Sequence, residues 1–154
     1  MTPEDLVHLR RCVELAAEAV DRGDDPFGSV LVAGDGAVLA ERSNEVNTSH
    51  DVTAHPELAL ARWASQHLGR EQRAAATMYT SGEHCAMCAA AHVWAGIGRL
   101  VFVLSNEMIG DLLPSGATTL ALTTADVVAT SNAAVVIEGP CPELVESAAA
   151  LFSR

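Results

Sequence analysis

The chain predicts an α/β fold in which a mixed five-stranded sheet carries helices on both faces. Three observations predict it: an amphipathic first helix, two short apolar runs joined by a glycine-rich turn, and a strand–helix–strand succession between residues 75 and 104. A crossover of more than about a dozen residues joins parallel strands by a right-handed connection, which lays its helix on the sheet.

The elements follow in order. Pro3 to Asp21 places Leu6, Leu9, Val13, Ala16, Ala17 and Val20 at three-and-four spacing, one helical stripe, and Gly23 supplies a stop. Phe27 to Ala33 and Ala37 to Glu41 are joined by Gly34-Asp35-Gly36, a turn composition that tolerates positive φ, so the pair reads as a hairpin. Asn44 to Thr53 reads as polar loop, and helical patterning resumes from His55 to about Leu68-Gly69. Ala75 to Thr80 is the third strand, Ala86 to Ala95 the third helix and Leu100 to Leu104 the fourth strand. Beyond Ser105 the pattern gives a short helix over Met108 to Leu113, a fifth strand over Ala134 to Glu138 and a closing helix over Pro142 to Phe152. Leu120 to Thr130 fits no single period.

At 154 residues the chain is sized for one domain, spanning 1–154, without an internal repeat or linker. Hydrophobic residues make up 49% and charged residues 19%, which removes disorder as the default. The net charge is −11, there is no lysine, and the arginines are scattered. Gripping a phosphate backbone needs clustered positive charge, so nucleic acid is a disfavoured partner. The acidic start Met1-Thr2-Pro3-Glu4-Asp5 is unlike a secretory leader, and no run approaches about 18 apolar residues, so the expectation is a cytoplasmic protein that crosses no membrane. In a reducing compartment the close pair Cys85 and Cys88 signals metal or redox chemistry, whereas Cys12 and Cys141 read as buried or idle thiols.

Two clusters carry chemistry: His55-Pro56-Glu57 at the start of the second helix and Cys85-Ala86-Met87-Cys88 at the start of the third. A catalytic zinc site takes three protein ligands and leaves one tetrahedral position for water, and His55, Cys85 and Cys88 supply that count. Cys85 and Cys88 lie one turn apart, where the unpaired amides of a helix start favour thiolate. Pro56 suits the first helical position. Glu57 extends from the same helix end, placed to take a proton from water and return it to a leaving group.

The pairing of His-x-Glu with Cys-x-x-Cys resembles the zinc-dependent cytidine and nucleobase deaminase superfamily. The likeness continues through Asp25-Pro26-Phe27-Gly28-Ser29-Val30-Leu31-Val32, through Asn44-Glu45-Val46 and Asp51-Val52-Thr53-Ala54-His55, and through Ser81-Gly82-Glu83-His84 to Val93-Trp94-Ala95. It covers about residues 26 to 104 and is most similar to the guanine deaminase branch. It implies a three-layer α/β/α sandwich with one zinc and a catalytic water. Glu57 would be the proton shuttle, and Asn44, Trp94, Phe27 and Ala54 would contact substrate. The substrate would be a small aminated base or related heterocycle, guanine- or cytosine-like, that loses ammonia. It also implies a homodimer, and 4% aromatic content leaves few rings for one chain to stack on a base. Pro56 replaces the commoner small residue between His and Glu, and His84 replaces the usual proline before Cys85. Leu112 to Thr130 lacks the aromatic residue of the guanine branch.

Other readings stay open. The superfamily also contains transfer RNA adenosine deaminases, against which the net charge speaks, and a non-enzymatic zinc-stabilised module would use the same ligands. A thioredoxin-like dithiol shares the strand, Cys-x-x-Cys, helix context but leaves His55 and Glu57 unexplained. Asn44 also suits a plain turn, Phe27 suits the core, and packing is the default for His92 and Trp94. Glu83 suits stabilisation of the turn before Cys85, and His50 and His84 suit solvated loop positions.

Overall fold

The computed structural model describes residues 1–153. Helix α1 spans Pro3–Asp21, as its stripe predicts. Thr2 and Asp5 start it by exchanging side-chain and backbone hydrogen bonds, Asp5 N to Thr2 Oγ1 at 3.2 Å and Thr2 N to Asp5 Oδ2 at 2.6 Å. Strands β1 (Gly28–Val32) and β2 (Val38–Ser43) form the hairpin. The segment expected as loop contains a four-residue helix, α2 (Val46–Ser49), too short to show a period. Then come α3 (Pro56–His67), α4 (Arg70–Ala75), β3 (Thr77–Gly82), α5 (Ala86–Ala95) and β4 (Arg99–Leu104). The chain closes with α6 (Asn106–Leu112), α7 (Thr124–Ala129), β5 (Val136–Glu138), α8 (Pro142–Ala149) and a 3-10 turn over Ala150–Ser153.

Besides α2, three further details differ from the sequence reading. Helix α4 was not expected; it is six residues long and starts where Gln72 Oε1 accepts from Gly69 N at 2.8 Å. Strand β3 begins two residues later than expected and runs through Gly82. The stretch without a clear period contains α7, started by a capping box between Thr123 and Asp126.

The sheet order is β2-β1-β3-β4-β5. Strand β1 is antiparallel to β2 and β3, while β3, β4 and β5 run parallel, so the sheet is mixed and five-stranded as expected. Side-chain alternation sorts the core into two sets. Val30, Val32, Tyr79, Val101 and Val103 join Leu9, Cys12 and Leu15 of α1 and Leu144 and Ala148 of α8. Leu31, Met78, Leu100 and Phe102 join Leu60, Ala61 and Ala64 of α3 and Ala95 of α5. Each fully buried large aliphatic or aromatic side chain contributes about 1.5–3 kcal/mol, so both faces are held independently of any ligand. Glycine is required at 28, where a Cβ would fall 2.5 Å from Leu15 Cβ and push α1 off the sheet.

A charged cluster ties the chain start to the sheet. Asp5, 2% exposed, accepts from Tyr79 Oη at 2.7 Å and from both Arg99 terminal nitrogens at 2.8 and 2.9 Å. Arg99 also donates to Glu138 Oε1, from Nε at 3.0 Å and Nη2 at 2.9 Å, and the amino terminus of Met1 reaches Glu138 Oε2 at 3.0 Å. Among the described residues, no helix is long and apolar enough to cross a membrane.

Candidate active site

The site forms where the carboxyl end of β3 meets the amino ends of α3 and α5, the end of a parallel pair where α/β sheets place their ligands. Pro56 occupies the first turn of α3 and His55 is its N-cap, so the imidazole leaves the helix at its amino end. Cys85 is the N-cap of α5, and Cys88 lies one turn on, fully buried. His55 Nδ1 is 3.7 Å from Cys85 Sγ and 3.6 Å from Cys88 Sγ, and the three donor atoms all lie within 4.8 Å of one another.

These spacings fit zinc. Metal–sulfur bonds of about 2.3 Å and a metal–nitrogen bond of about 2.0–2.1 Å at a tetrahedral angle put sulfur about 3.6 Å from nitrogen, and two thiolates with one imidazole leave a fourth vertex open. Cys85 is already biased toward thiolate. Its pKa falls to about 4, first because the Cys88 thiol donates to it and next because His55 does, while the same donation and burial push Cys88 up. The bond to Cys85 raises His55.

Glu57 is 4% exposed beside this cluster. Its Oε1 accepts from Thr80 Oγ1 at 3.2 Å, and its Oε2 lies 3.8 Å from Cys88 Sγ. Burial raises its pKa, so it holds a proton more readily than a surface glutamate. Ser29 Oγ donates to Thr80 Oγ1 at 2.9 Å, extending the chain of hydroxyls into the sheet. Thr80 and Ser29 are neighbours of the cluster that sequence reasoning missed, Thr80 bonded to Glu57 and Ser29 to Thr80. Hydroxyls on strands look ordinary until the β1–β3 register sets Ser29 opposite Thr80.

Asn44, 1% exposed, sits beyond the end of β2, its backbone N–H donating to Phe27 O at 2.9 Å. Its Oδ1 accepts from Val46 N at 3.0 Å and Asp25 N at 3.4 Å, while its Nδ2 has no partner among the described residues. A buried amide with its acceptor used and its donor free is built to give a hydrogen bond to a bound acceptor. Asp24 holds the loop that follows, accepting from Asn47 N, Thr48 N and Thr48 Oγ1 at 3.0, 2.9 and 2.8 Å. Nothing in the sequence marks that carboxylate as the anchor of the segment leading to Ala54 and His55.

The other expected contacts are placed differently. Ala54 and His55 line a groove of about 580 Å³ that runs along α3 and α5 to Trp94. Trp94 is 84% exposed, so the expectation that it packs does not hold. Phe27 is half-buried and meets Phe152 edge-on at 5.6 Å, so it packs against the core while its carbonyl positions Asn44. His84, expected in solvent, is fully buried, its Nε2 3.1 Å from Nδ1 of the equally buried His92; this corrects the loop reading. Glu83 acts as its turn position suggested: its carboxylate accepts from Asn106 N at 3.0 Å and Thr124 N at 2.8 Å, capping α6 and α7. His50 is exposed, and Cys12 and Cys141 are buried free thiols.

Comparison with known proteins gives the family. The family model described as MafB19-like deaminase matches residues 4–139. A probable cytosine deaminase of Schizosaccharomyces pombe is 36% identical over 107 residues, 70% of this chain and 64% of that protein. A guanine deaminase of Bacillus subtilis is 48% identical over 88 residues, 56% of each chain. This chain thus spans less than two thirds of the length of either relative. A solved structure from work on A-to-I editing by tRNA:A34 deaminases superposes with a TM-score of 0.73 at 30% identity, over 94% of this chain and 99% of that one. With its sheet order, its His-Cys-Cys cluster and these matches, the chain belongs to the MafB19-like deaminase family, within the cytidine and nucleobase deaminase superfamily.

Proposed function

We propose that this chain is a zinc-dependent hydrolytic deaminase of a free aminated nucleobase or similar amino-heterocycle, guanine- or cytosine-like, acting in the cytoplasm as a homodimer. His55, Cys85 and Cys88 hold the metal, which when bound supplies a Lewis acid that activates water near neutral pH. The observation that carries the reading is the placement of Glu57, a buried carboxylate whose second oxygen lies 3.8 Å from the Sγ of Cys88, one of the three metal-directed residues. Its raised pKa suits both halves of a proton shuttle: Oε2 takes a proton from the attacking water and passes it to the departing nitrogen. Oxygen adds to the amine-bearing ring carbon, the exocyclic C–N bond breaks, and ammonia leaves. Asn44 Nδ2 donates to an acceptor on the ring edge and fixes its orientation, and Ala54 lines the entrance. Thr80 keeps Oε1 engaged so that Oε2 remains the working oxygen.

Four free cysteines agree with a reducing compartment, and the net charge of −11 favours a small substrate over a polyanion. The test is ammonia release by the zinc-loaded protein from guanine, cytosine, adenine and aminated triazines, beside Glu57→Gln. Turnover of a free base that disappears in the variant supports the reading, and turnover untouched by the variant overturns it.

One observation favours a second reading, adenosine in transfer RNA: the tRNA:A34 deaminase structure covers nearly the whole chain at 30% identity. Inosine formation in transfer RNA, with no free base turned over, would establish it instead.

A further inference from the structure

On β1, Val30 and Val32 face α1 while Leu31 faces α3, so alternation puts Ser29 on the α3 side, in the layer filled by Leu31, Leu60, Ala61 and Met78. Ser29 is fully buried there, as is Thr80 opposite it. A hydroxyl moved from water into an aliphatic layer costs free energy that a methyl group would not, unless it is bonded. Ser81 shows the structural use of such a group: its Oγ accepts from the Gly28 backbone N–H at 3.1 Å and so helps hold β1 to β3. Ser29 has no backbone partner for its hydroxyl among the described residues. Its single side-chain bond goes to Thr80 Oγ1 at 2.9 Å.

Counting protons gives that bond a direction. Thr80 has one hydroxyl proton and two acceptors in reach, Glu57 Oε1 at 3.2 Å and Gly28 O at 3.5 Å. Ser29 donates into a lone pair of Thr80 Oγ1, and a hydroxyl that accepts becomes a stronger donor. The Thr80 proton therefore goes to the nearer carboxyl oxygen. The opposite order, Glu57 to Thr80 to Ser29, would leave the Ser29 proton without an acceptor among the described residues.

We propose that Ser29 is a positioning residue for Glu57. Acting through Thr80, it anchors Oε1 to the sheet and thereby keeps Oε2 turned toward Cys88, whose Sγ lies 3.8 Å away. With Ser29 gone, the Thr80 proton turns as readily to Gly28 O, Oε1 is released, and the carboxyl group rotates away from the orientation that serves the cluster. The inference rests on the reading of Glu57 as the proton shuttle, but the hydroxyl order is also read by spectroscopy, without turnover.

The experiment compares Ser29→Ala, Thr80→Val and the double variant, each as the zinc-loaded full chain. On whichever free base the wild type deaminates, Ser29→Ala is expected to lower kcat about fivefold and to leave KM within about twofold. The double variant is expected to match Thr80→Val, because Ser29 then has nothing to act through. In a Thr80→Ser background, which keeps the hydroxyl, Ser29→Ala retains its cost. The second readout is the infrared band of the Glu57 carboxyl group, isolated as the difference between each protein and its Glu57→Gln counterpart. Ser29→Ala is expected to shift that band in the same direction as Thr80→Val, with zinc content unchanged. Ser29→Cys, similar in volume and a far weaker donor, reads the same change should Ser29→Ala fail to fold. A protein that releases ammonia from no free base refutes the functional reading and leaves the band to decide this one. An unmoved band overturns the proposal. So do effects of Ser29→Ala and Thr80→Val that multiply in the double variant, or a loss confined to KM.

Discussion

The Thr80 hydroxyl donates to Glu57 Oε1 across 3.2 Å while Glu57 Oε2 stands 3.8 Å from Cys88 Sγ, so the two oxygens of one carboxylate have different partners. Replacing Glu57 by Gln keeps the shape and removes the proton carrier. Ammonia release is expected to fall by about 10²–10⁴, with zinc content and melting temperature retained. Thr80→Val leaves Oε1 unpaired and is expected to cost about 1.5 kcal/mol, near tenfold in kcat/KM, while metal content again stays constant. Steady-state kinetics beside metal analysis separates the two.

Asn44 predicts a different split. Its Nδ2, without a partner among the described residues, is the group proposed to meet substrate, whereas Oδ1 serves the loop. Asn44→Asp keeps the acceptor, deletes the donor and brings a carboxylate into a buried position, so the expected result is a rise in KM of about tenfold or more together with a lowered melting temperature; Asn44→Ala, which removes the donor without adding charge, is expected to raise KM to a similar extent. An unchanged KM would remove Asn44 from the substrate contacts.

Metal removal separates an enzyme from a zinc-held module. Both core layers close without the His55, Cys85 and Cys88 cluster, so chelation is expected to abolish turnover while far-ultraviolet circular dichroism and a cooperative thermal transition persist. Unfolding on chelation would favour the module.

Acid stability is set elsewhere, at Asp5. Hydrogen bonds from Arg99 hold its folded-state pKa well below the ordinary value of 3.8. A carboxylate depressed on folding contributes stability that is present above its unfolded pKa and is lost as pH falls through the folded one. Urea midpoints are therefore expected to drop as pH is lowered from about 5 toward 2, with a shallower drop in Asp5→Asn. Arg99→Ala strands a buried charge and is expected to cost about 3 kcal/mol at pH 7.

How much of this was legible depended on the range of the interaction. The stripe of α1, the glycine turn of the hairpin and the helix expected over Ala86 to Ala95 are local patterns, and the structure places all three where the pattern does. The two metal-directed clusters were legible because ligand chemistry restricts residue type. Helices α2, α4 and α7 were missed because four to six residues hold too little of a helical period, and their starts depend on caps such as Asp24 and Gln72. His84 was misread because its burial follows from pairing with His92, eight residues away, and no local pattern announces that pair. Thr80 and Ser29 became visible only when the register of β1 and β3 set them side by side.

The most direct test of the site is zinc-edge X-ray absorption on the purified protein. The expected result is one zinc per chain with two sulfur neighbours at about 2.3 Å and two light-atom neighbours at about 2.0–2.1 Å, one of them lost from the shell when His55 is replaced. A spectrum without sulfur neighbours, or with a closed shell of four protein ligands, would contradict it.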